Sequence, residues 1–298
     1  MTRCLFNLLF LFIFLFMAPI LLAESDEESG HEDRKSYLVF DNIYLNSEKK
    51  EEWGKRPTYY INTIFPSLST QGDEDTVSNF NALIRDFLQS ERADFKTLIK
   101  ENQNLQTNLP KKLQKNDLFI DYSSIVVRSK KTHILSIRFK IQRYLGGMAH
   151  PELQHHTFNY DLLSDTEIEL SSLFKPDSHY LTLISEIVND SLSKKLNGNF
   201  DRKGIEPILE NFKNWNIKSQ GLLFTFDEGQ VGPRVYGAQT VLVPYKSIPG
   251  LLAENTVIAH CVNRKSRCLS SNLATGGFLD EANASNTLKK HDTRTSAA

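Results

Sequence analysis

Hydrophobic residues along this chain recur with two different periods, one typical of strands and one typical of amphipathic helices. Two short runs rich in Tyr, Ile, Phe and Val, Tyr37–Leu45 and Thr58–Phe65, predict strands, and the charged segment Ser47–Arg56 separates them. The strongest helical pattern follows after Pro66. Its apolar positions lie three or four residues apart, at Val77, Phe80, Ile84, Phe87, Leu88, Phe95 and Leu98.

A hairpin is predicted next, with strands Phe119–Arg128 and Ile134–Tyr144 joined by a turn at Ser129–Thr132. In its second strand the apolar residues alternate with polar ones, so that one face of the sheet should be buried and the other solvated. A third alternating strand comprises His156, Phe158, Tyr160 and Leu162.

The second half of the chain repeats this order of elements. Apolar spacing predicts a helix from Tyr180 to Leu192, with Asp177 or Ser178 as its N-cap, and a shorter helix over Glu206–Phe212. Paired strands at Leu222–Phe226 and Gln239–Val243 and a short closing helix at Tyr245–Leu252 follow. The pattern predicts an α+β protein with two lobes, each an antiparallel sheet packed with one or two helices.

Changes in composition suggest five regions. They are a signal peptide (1–23), an acidic linker with the first strand (24–56), an N-terminal α+β lobe (57–146), a C-terminal α+β lobe (147–253) and a mobile tail rich in Ser, Asn, Ala and Thr (254–298).

The apolar run Leu5–Leu22 follows Arg3 and ends at Ala23, which precedes an acidic stretch. This arrangement is typical of a secretory signal and predicts a periplasmic or secreted protein. An uncleaved membrane anchor is the alternative, because about 18 apolar residues approach the length that spans a bilayer. Membrane association is expected only if the segment is retained.

The formal net charge of −1 gives no global electrostatic reason to expect binding to nucleic acid. Export would allow a disulfide between Cys261 and Cys268, although two free thiols remain possible. These cysteines with His260 are too few ligands for a zinc site. The sequence predicts no metal and no cofactor, and it leaves the oligomeric state open.

Histidines and one glycine-rich loop are the candidates for a functional site. His150 follows the structural turn Gly146-Gly147 and precedes Pro151, where it could act as a ligand-binding or acid–base group or merely support the turn. His155 and His156 should point to opposite faces of their strand, which argues against a shared metal ion. The loop that begins at Asp227 contributes four further predicted ligand-binding residues: Asp227, Gln230, Arg234 and Tyr236.

Several motifs together resemble a bacterial extracytoplasmic domain of largely unassigned function. The run Gly146–Pro151, then Phe158–Leu162 and Ile168–Phe174, carries the resemblance, as do Gly221–Phe226 and Val241–Tyr245. This domain occurs at the C-terminus of lysozyme-sensing anti-sigma factors and in peptidoglycan deacetylases. Tyr59–Tyr144 resembles the companion domain that commonly precedes it.

The chain also departs from these relatives. Family members usually have one residue between the second glycine and the histidine, whereas Met148 and Ala149 both intervene here. The separate metal-dependent module of the deacetylases is not recognised in this sequence. Only Met1–Arg3 precede the apolar run, where the anti-sigma factors carry a cytoplasmic segment.

The resemblance implies an exported binding module for a cell-envelope glycan or a lysozyme-like protein, without catalysis of its own. One alternative is a peptidoglycan-directed hydrolase or deacetylase that uses His150 and nearby carboxylates. Another is a purely structural envelope protein.

Overall fold

Alternating apolar residues between positions 36 and 167 form most of one large sheet in the computed structural model, which describes residues 36–72, 75–262 and 268–273. The predicted signal segment and the acidic stretch 24–35 lie outside the described residues. The strands are β1 (Ser36–Phe40), β2 (Ile43–Lys55), β3 (Thr58–Thr70), β4 (Asp117–Arg128), β5 (His133–Tyr144), β6 (Glu152–Asp161) and β7 (Thr166–Glu167), in that order across the sheet.

Neighbouring strands of this first sheet run antiparallel except β3 and β4, which are parallel. Parallel strands need a long crossover connection, and α1 (Asp75–Glu101) provides most of it. The short helix α2 (Gln103–Gln106) and a 3₁₀ turn at Lys111–Leu113 complete the connection, in a segment whose sequence predicts only a loop.

One face of the first sheet packs against α1 to form the first hydrophobic core. Phe80 and Phe95 of α1 are fully buried against sheet residues that include Ile120, Phe139 and Phe158. The predicted alternation in β5 is therefore confirmed, because Ile137, Phe139 and Ile141 all belong to this core.

A second core forms around α3 (Tyr180–Lys195) and a three-stranded antiparallel sheet of β8 (Trp215–Lys218), β9 (Gly221–Phe226) and β10 (Gln239–Pro244). Ile184, Val188 and Leu192 of α3 are buried in it. Together the two sheets and their helices confirm the α+β class. The first sheet also crosses the predicted lobe boundary at residue 146, because β6 pairs with β5 along its whole length.

Several local predictions are wrong. The charged segment Ser47–Arg56 is mostly strand β2, whose half beyond Asn46 has no partner on its outer side among the described residues. Charged side chains suit such an edge strand. In place of a helix over Glu206–Phe212 there are 3₁₀ turns at Arg202–Ile205 and Leu209–Phe212. Glu206 between them is extended, with ψ of 142°, because a proline such as Pro207 disfavours the helical conformation of the residue before it.

The cap of α3 and the closing helix also differ from prediction. Neither Asp177 nor Ser178 caps α3; the N-cap is His179, with φ of 45° and no side-chain cap hydrogen bond. The predicted closing helix is reduced to a 3₁₀ turn at Tyr245–Ser247. Within the predicted tail, α4 (Ala259–Val262) and β11 (Leu269–Leu273) are ordered, and β11 pairs with β4.

Candidate functional site

The face of the first sheet that points away from α1, here called the open face, carries polar and aromatic side chains in rows across the strands. Strand register places them together because paired residues share a face. The rows comprise Trp53, Tyr60, Asp117 and Tyr144; then Glu51, Asn62, Phe119, Gln142 and Leu153; then Asp121, Lys140 and His155; and finally Ser123, Arg138 and Thr157.

The second core covers the far end of the open face through β8. Asn216 Nδ2 donates to Ser136 Oγ at 2.9 Å and to the carbonyl of Ile137 at 3.0 Å. The backbone N–H of Trp215 donates to Thr157 Oγ1 at 3.0 Å. These buried hydrogen bonds join the two sheets through side chains, so the open face ends at a wall formed by the second core.

His155 and Asp227 meet where this wall rises from the open face. The imidazole Nδ1 lies 2.7 Å from Asp227 Oδ1, and the backbone N–H of His155 donates to the same oxygen at 2.9 Å. Only 6% of the His155 side chain is exposed. A carboxylate at Nδ1 fixes that nitrogen as the donor, which leaves Nε2 of the neutral ring as an acceptor. The contact with Asp227 therefore fixes the orientation of the imidazole.

Hydrogen bonds within the turn that begins at Asp227, and one from Asn214, hold the Asp227 side chain in position. Its backbone N–H donates to Gln230 Oε1 at 3.1 Å, and Asn214 Nδ2 donates to its second carboxylate oxygen at 3.4 Å. Gln230 Nε2 donates to the carbonyls of Gly204 and Asn211, each at 3.0 Å. Because its amide group is engaged by the protein, Gln230 supports the loop, although the sequence suggested it as a ligand contact.

The other two predicted loop residues lie farther along, near the tip. Arg234 is paired loosely with Glu228, with 3.9 Å between Nη2 and Oε2. Tyr236 is 36% exposed, and its hydroxyl accepts a hydrogen bond from Asn199 at 2.9 Å. Val235 between them is 87% exposed. The loop therefore has a fixed base and a solvent-facing tip.

The Gly-Gly turn before β6 has a structural role that the contacts explain. The backbone N–H of Gly146 donates to Asn116 Oδ1 at 3.0 Å, and a Cβ at Gly146 would lie 2.6 Å from the carbonyl oxygen of Leu113. Gly147 has φ of 94°, a conformation that favours glycine. His150 is exposed beyond this turn, and its Nδ1 lies 3.2 Å from the carbonyl of Pro151.

His156 points to the opposite side of β6, as the sequence predicts. Its ring stacks on Phe87 with centroids 4.6 Å apart and lies 4.6 Å from the ring of Phe158. Burial, with a smaller contribution from Lys213, lowers the pKa of His156 to about 4. This half-buried histidine therefore packs at the margin of the first core, and it shares no site with His155.

Sequence reasoning missed three aromatic rings at the other end of the open face, here called the aromatic row: Trp53 and Tyr60 from one sheet row and Phe119 from the next. The rings of Trp53 and Tyr60 have centroids 6.0 Å apart, and those of Tyr60 and Phe119 are 5.8 Å apart, both edge to face. The row draws on three strands, so no short motif marks it. An aromatic residue inside a charged segment, Trp53, was the one available signal.

Cys261 and Cys268 form a disulfide at the edge of the second core, with Cα atoms 4.9 Å apart. Within the described ranges, no group of three His, Cys, Asp or Glu side chains is arranged to hold a metal ion. None of the helices described there is both long and apolar enough to cross a membrane.

One part of the chain matches a known family model. Residues 171–246 match the family model described as "Protein of unknown function (DUF3298)". A solved DUF3298-family structure from Bacteroides fragilis aligns with a TM-score of 0.50 and 14% identity, and covers 74% of this chain and 97% of that one. At this identity the likeness concerns the fold alone.

Curated relatives are similar over longer segments. Peptidoglycan-N-acetylmuramic acid deacetylase PdaC of Bacillus subtilis is 30% identical over 148 residues, 48% of this chain but 31% of PdaC. Immunogenic protein MPT64 of Mycobacterium tuberculosis is 26% identical over 200 residues, 66% of this chain and 79% of that protein. Esterase Rv3036c of the same species is 31% identical over 119 residues, 39% of this chain and 51% of the esterase. These matches confirm the resemblance to the family domain.

Proposed function

We propose, from the premise that residues 171–246 form a DUF3298 domain, that this protein is an exported binding module for a cell-envelope glycan. The observation that carries the proposal is the part of the open face beyond the second core, which combines aromatic, amide and charged side chains in adjacent rows. A flat surface of this kind suits an extended polymer better than a small enclosed ligand.

The chemistry of the open face matches that of a polysaccharide. Sugar rings present apolar C–H faces and hydroxyl groups at their edges, so they need aromatic surface beside hydrogen-bonding groups. Phe119 pairs across the sheet with Gln142, and Asp121 pairs with Lys140. Asp121 itself is buried, with 3% of it exposed, so these adjacent rows offer a ring, an amide and the half-buried Lys140 to a ligand.

Two further observations support an envelope glycan as the target. PdaC, which shares 30% identity with this chain, is named for its action on peptidoglycan. The apolar segment Leu5–Leu22 supports export to the compartment where peptidoglycan lies. A lysozyme-like protein, which itself binds this glycan, is the other partner that the proposal includes.

Cosedimentation with purified peptidoglycan sacculi, beside a pull-down with lysozyme, tests the proposal. We expect the wild-type protein to be retained, and retention to fall several-fold when Lys140 and Gln142 are both changed to Ala. Lys194→Ala, an exposed change on α3, should leave retention unaltered. Absence of wild-type retention on either ligand would refute the proposed function.

The His155–Asp227 pair favours a second candidate, a hydrolase or deacetylase acting on envelope glycan or its esters. A carboxylate-oriented imidazole is the arrangement that general bases use, and it is present at His155 and not at His150. One relative, 31% identical, is named an esterase. In the enzyme hypothesis, this observation favours His155 over His150 as the general base.

Turnover assays distinguish the second candidate from a binding module. Release of acetate from an N-acetylated oligosaccharide and hydrolysis of a nitrophenyl ester should both be followed. If His155 is a general base, His155→Gln should lower turnover by about 10²–10⁴-fold while circular dichroism shows a retained fold. His150→Gln should have no effect. Equal turnover in wild type and His155→Gln would exclude the enzyme hypothesis.

A further inference from the structure

We infer that the aromatic row Trp53, Tyr60 and Phe119 is the stacking platform for a sugar ring, and that Trp53 makes the principal contact. The inference rests on the proposed glycan-binding function and assigns it to one end of the open face. The ligand class is a β-linked oligosaccharide of N-acetylated amino sugars, the chemistry of the peptidoglycan backbone.

Exposure of Trp53 is the first observation. Its side chain is 68% exposed, although tryptophan is usually well buried in folded proteins. The other tryptophan, Trp215, is only 6% exposed and belongs to the second core. Trp53 contacts Tyr60 edge to face and leaves most of its ring surface in solvent. A ring held in this way offers its face to a ligand.

The position of Trp53 makes it accessible to a long polymer. It lies two residues before the end of β2, near the tip of the β2–β3 hairpin, and directly opposite Tyr60 in the register. In the described part of the chain, no strand pairs with the outer edge of β2 at this level. A glycan strand can therefore pass over the row without an end having to thread into a pocket.

Polar groups at the edge of the row complete the platform. The Tyr60 hydroxyl donates to Glu51 Oε1, and this hydrogen bond holds the pKa of the Glu51 carboxyl below its usual range. Glu51 is exposed and remains ionised at neutral pH, so its carboxylate can accept hydrogen bonds from sugar hydroxyls or from an acetamido N–H. Lys49, 3.5 Å from Glu51, adds a donor.

The same polar groups argue against a membrane or a hydrophobic protein surface as the occupant. Glu51 lies one sheet row from Trp53 on the same strand, and Asp117 pairs with Tyr60. Carboxylates repel the anionic headgroups of bacterial lipids, and charges that interrupt an apolar surface are depleted from the centres of protein interfaces. A hydroxyl-rich neutral ligand tolerates both groups.

Titration with chitotetraose, a β-linked tetramer of N-acetylglucosamine, tests the inference by calorimetry and tryptophan fluorescence. We expect the emission of Trp53 to shift to shorter wavelength and to become protected from acrylamide. Trp53→Ala should weaken binding about tenfold or more, and Trp53→Phe should retain part of the affinity because it keeps a ring. Val235→Ala, a change at another exposed apolar side chain (87% exposed), near the tip of the loop that begins at Asp227, should leave the affinity unchanged.

The outcomes separate this inference from the proposed function. If sacculi retain wild type and Trp53→Ala equally, the platform is refuted while glycan binding stands. If wild type binds neither sacculi nor chitotetraose, both are refuted. The inference would also be overturned if Trp53→Ala abolished binding to anionic vesicles but left binding to the glycan unchanged. Because Trp53 is exposed, an unchanged circular dichroism spectrum is expected for each variant.

Discussion

The half-buried His156 should make the stability of this protein depend on pH in a way that one substitution removes. In the folded state its pKa is about 4, against 6.5 for an ordinary histidine, mainly because burial among aromatic rings disfavours the charged form. Below pH 6.5 the unfolded chain therefore binds a proton that the folded protein does not. Stability attributable to this residue is complete above that pH and falls as the pH is lowered toward 4.

The size of the effect follows from the two pKa values. At about pH 4.5 the unfolded histidine is almost fully protonated and the folded one mostly neutral, which costs about 2.5 kcal/mol of unfolding free energy. His156→Phe removes the titrating group and keeps an aromatic ring stacked on Phe87. When the pH is lowered from about 7.5 to about 4.5, the unfolding free energy of the variant should therefore fall by about 2.5 kcal/mol less than that of wild type.

Urea denaturation of both proteins at the two pH values measures this difference. Carboxylates titrate in the same range, but they do so in both proteins and cancel in the comparison. His150→Gln, which removes an exposed histidine, serves as the matched control and should follow wild type. Parallel pH dependence of wild type and His156→Phe would refute the neutral state of this ring.

Three other substitutions test contacts that position the site. Gly146→Ala should lower the unfolding free energy by about 1–3 kcal/mol, because its Cβ would meet the Leu113 carbonyl at 2.6 Å. Asp227→Asn should cost about 1–3 kcal/mol in urea denaturation, because the buried backbone N–H and imidazole of His155 lose a charged acceptor. Asn216→Ala should cost a similar amount, about 1–3 kcal/mol, since two buried hydrogen bonds between the sheets are lost.

Each of these predictions has a control or a contradicting result. A Cβ at Gly198 would have no atom within 4 Å, so Gly198→Ala adds only the strain of a φ of 74° and should cost about 1 kcal/mol. A loss well below about 1 kcal/mol at Gly146 would argue against the steric clash. Arg234→Ala, near the tip of the Asp227 loop, should leave stability unchanged. If Asn216→Ala unfolds at the wild-type urea concentration, the side-chain bridge does not hold β8 in place.

Local pattern alone determined several features of this protein. The alternation in β5 identified which side chains enter the first core, since successive residues of a strand point to opposite faces. The same rule separated His155 from His156 before any partner was known. The spacing of apolar residues located α1 and α3, because the helical period brings them onto one stripe. The turn at Gly146-Gly147 was recognisable because glycine permits conformations that other residues avoid.

Only the tertiary structure decided which distant residues act together. Asp227 reaches His155 across 72 positions of sequence, and the aromatic row joins Trp53 and Tyr60 to Phe119 through the parallel pairing of β3 and β4. Strand order and register depend on how α1 crosses the sheet and on which faces the two cores bury. Neither of these can be predicted from a short segment of sequence. The composition of the candidate site was therefore present in the sequence, while its assembly required the fold.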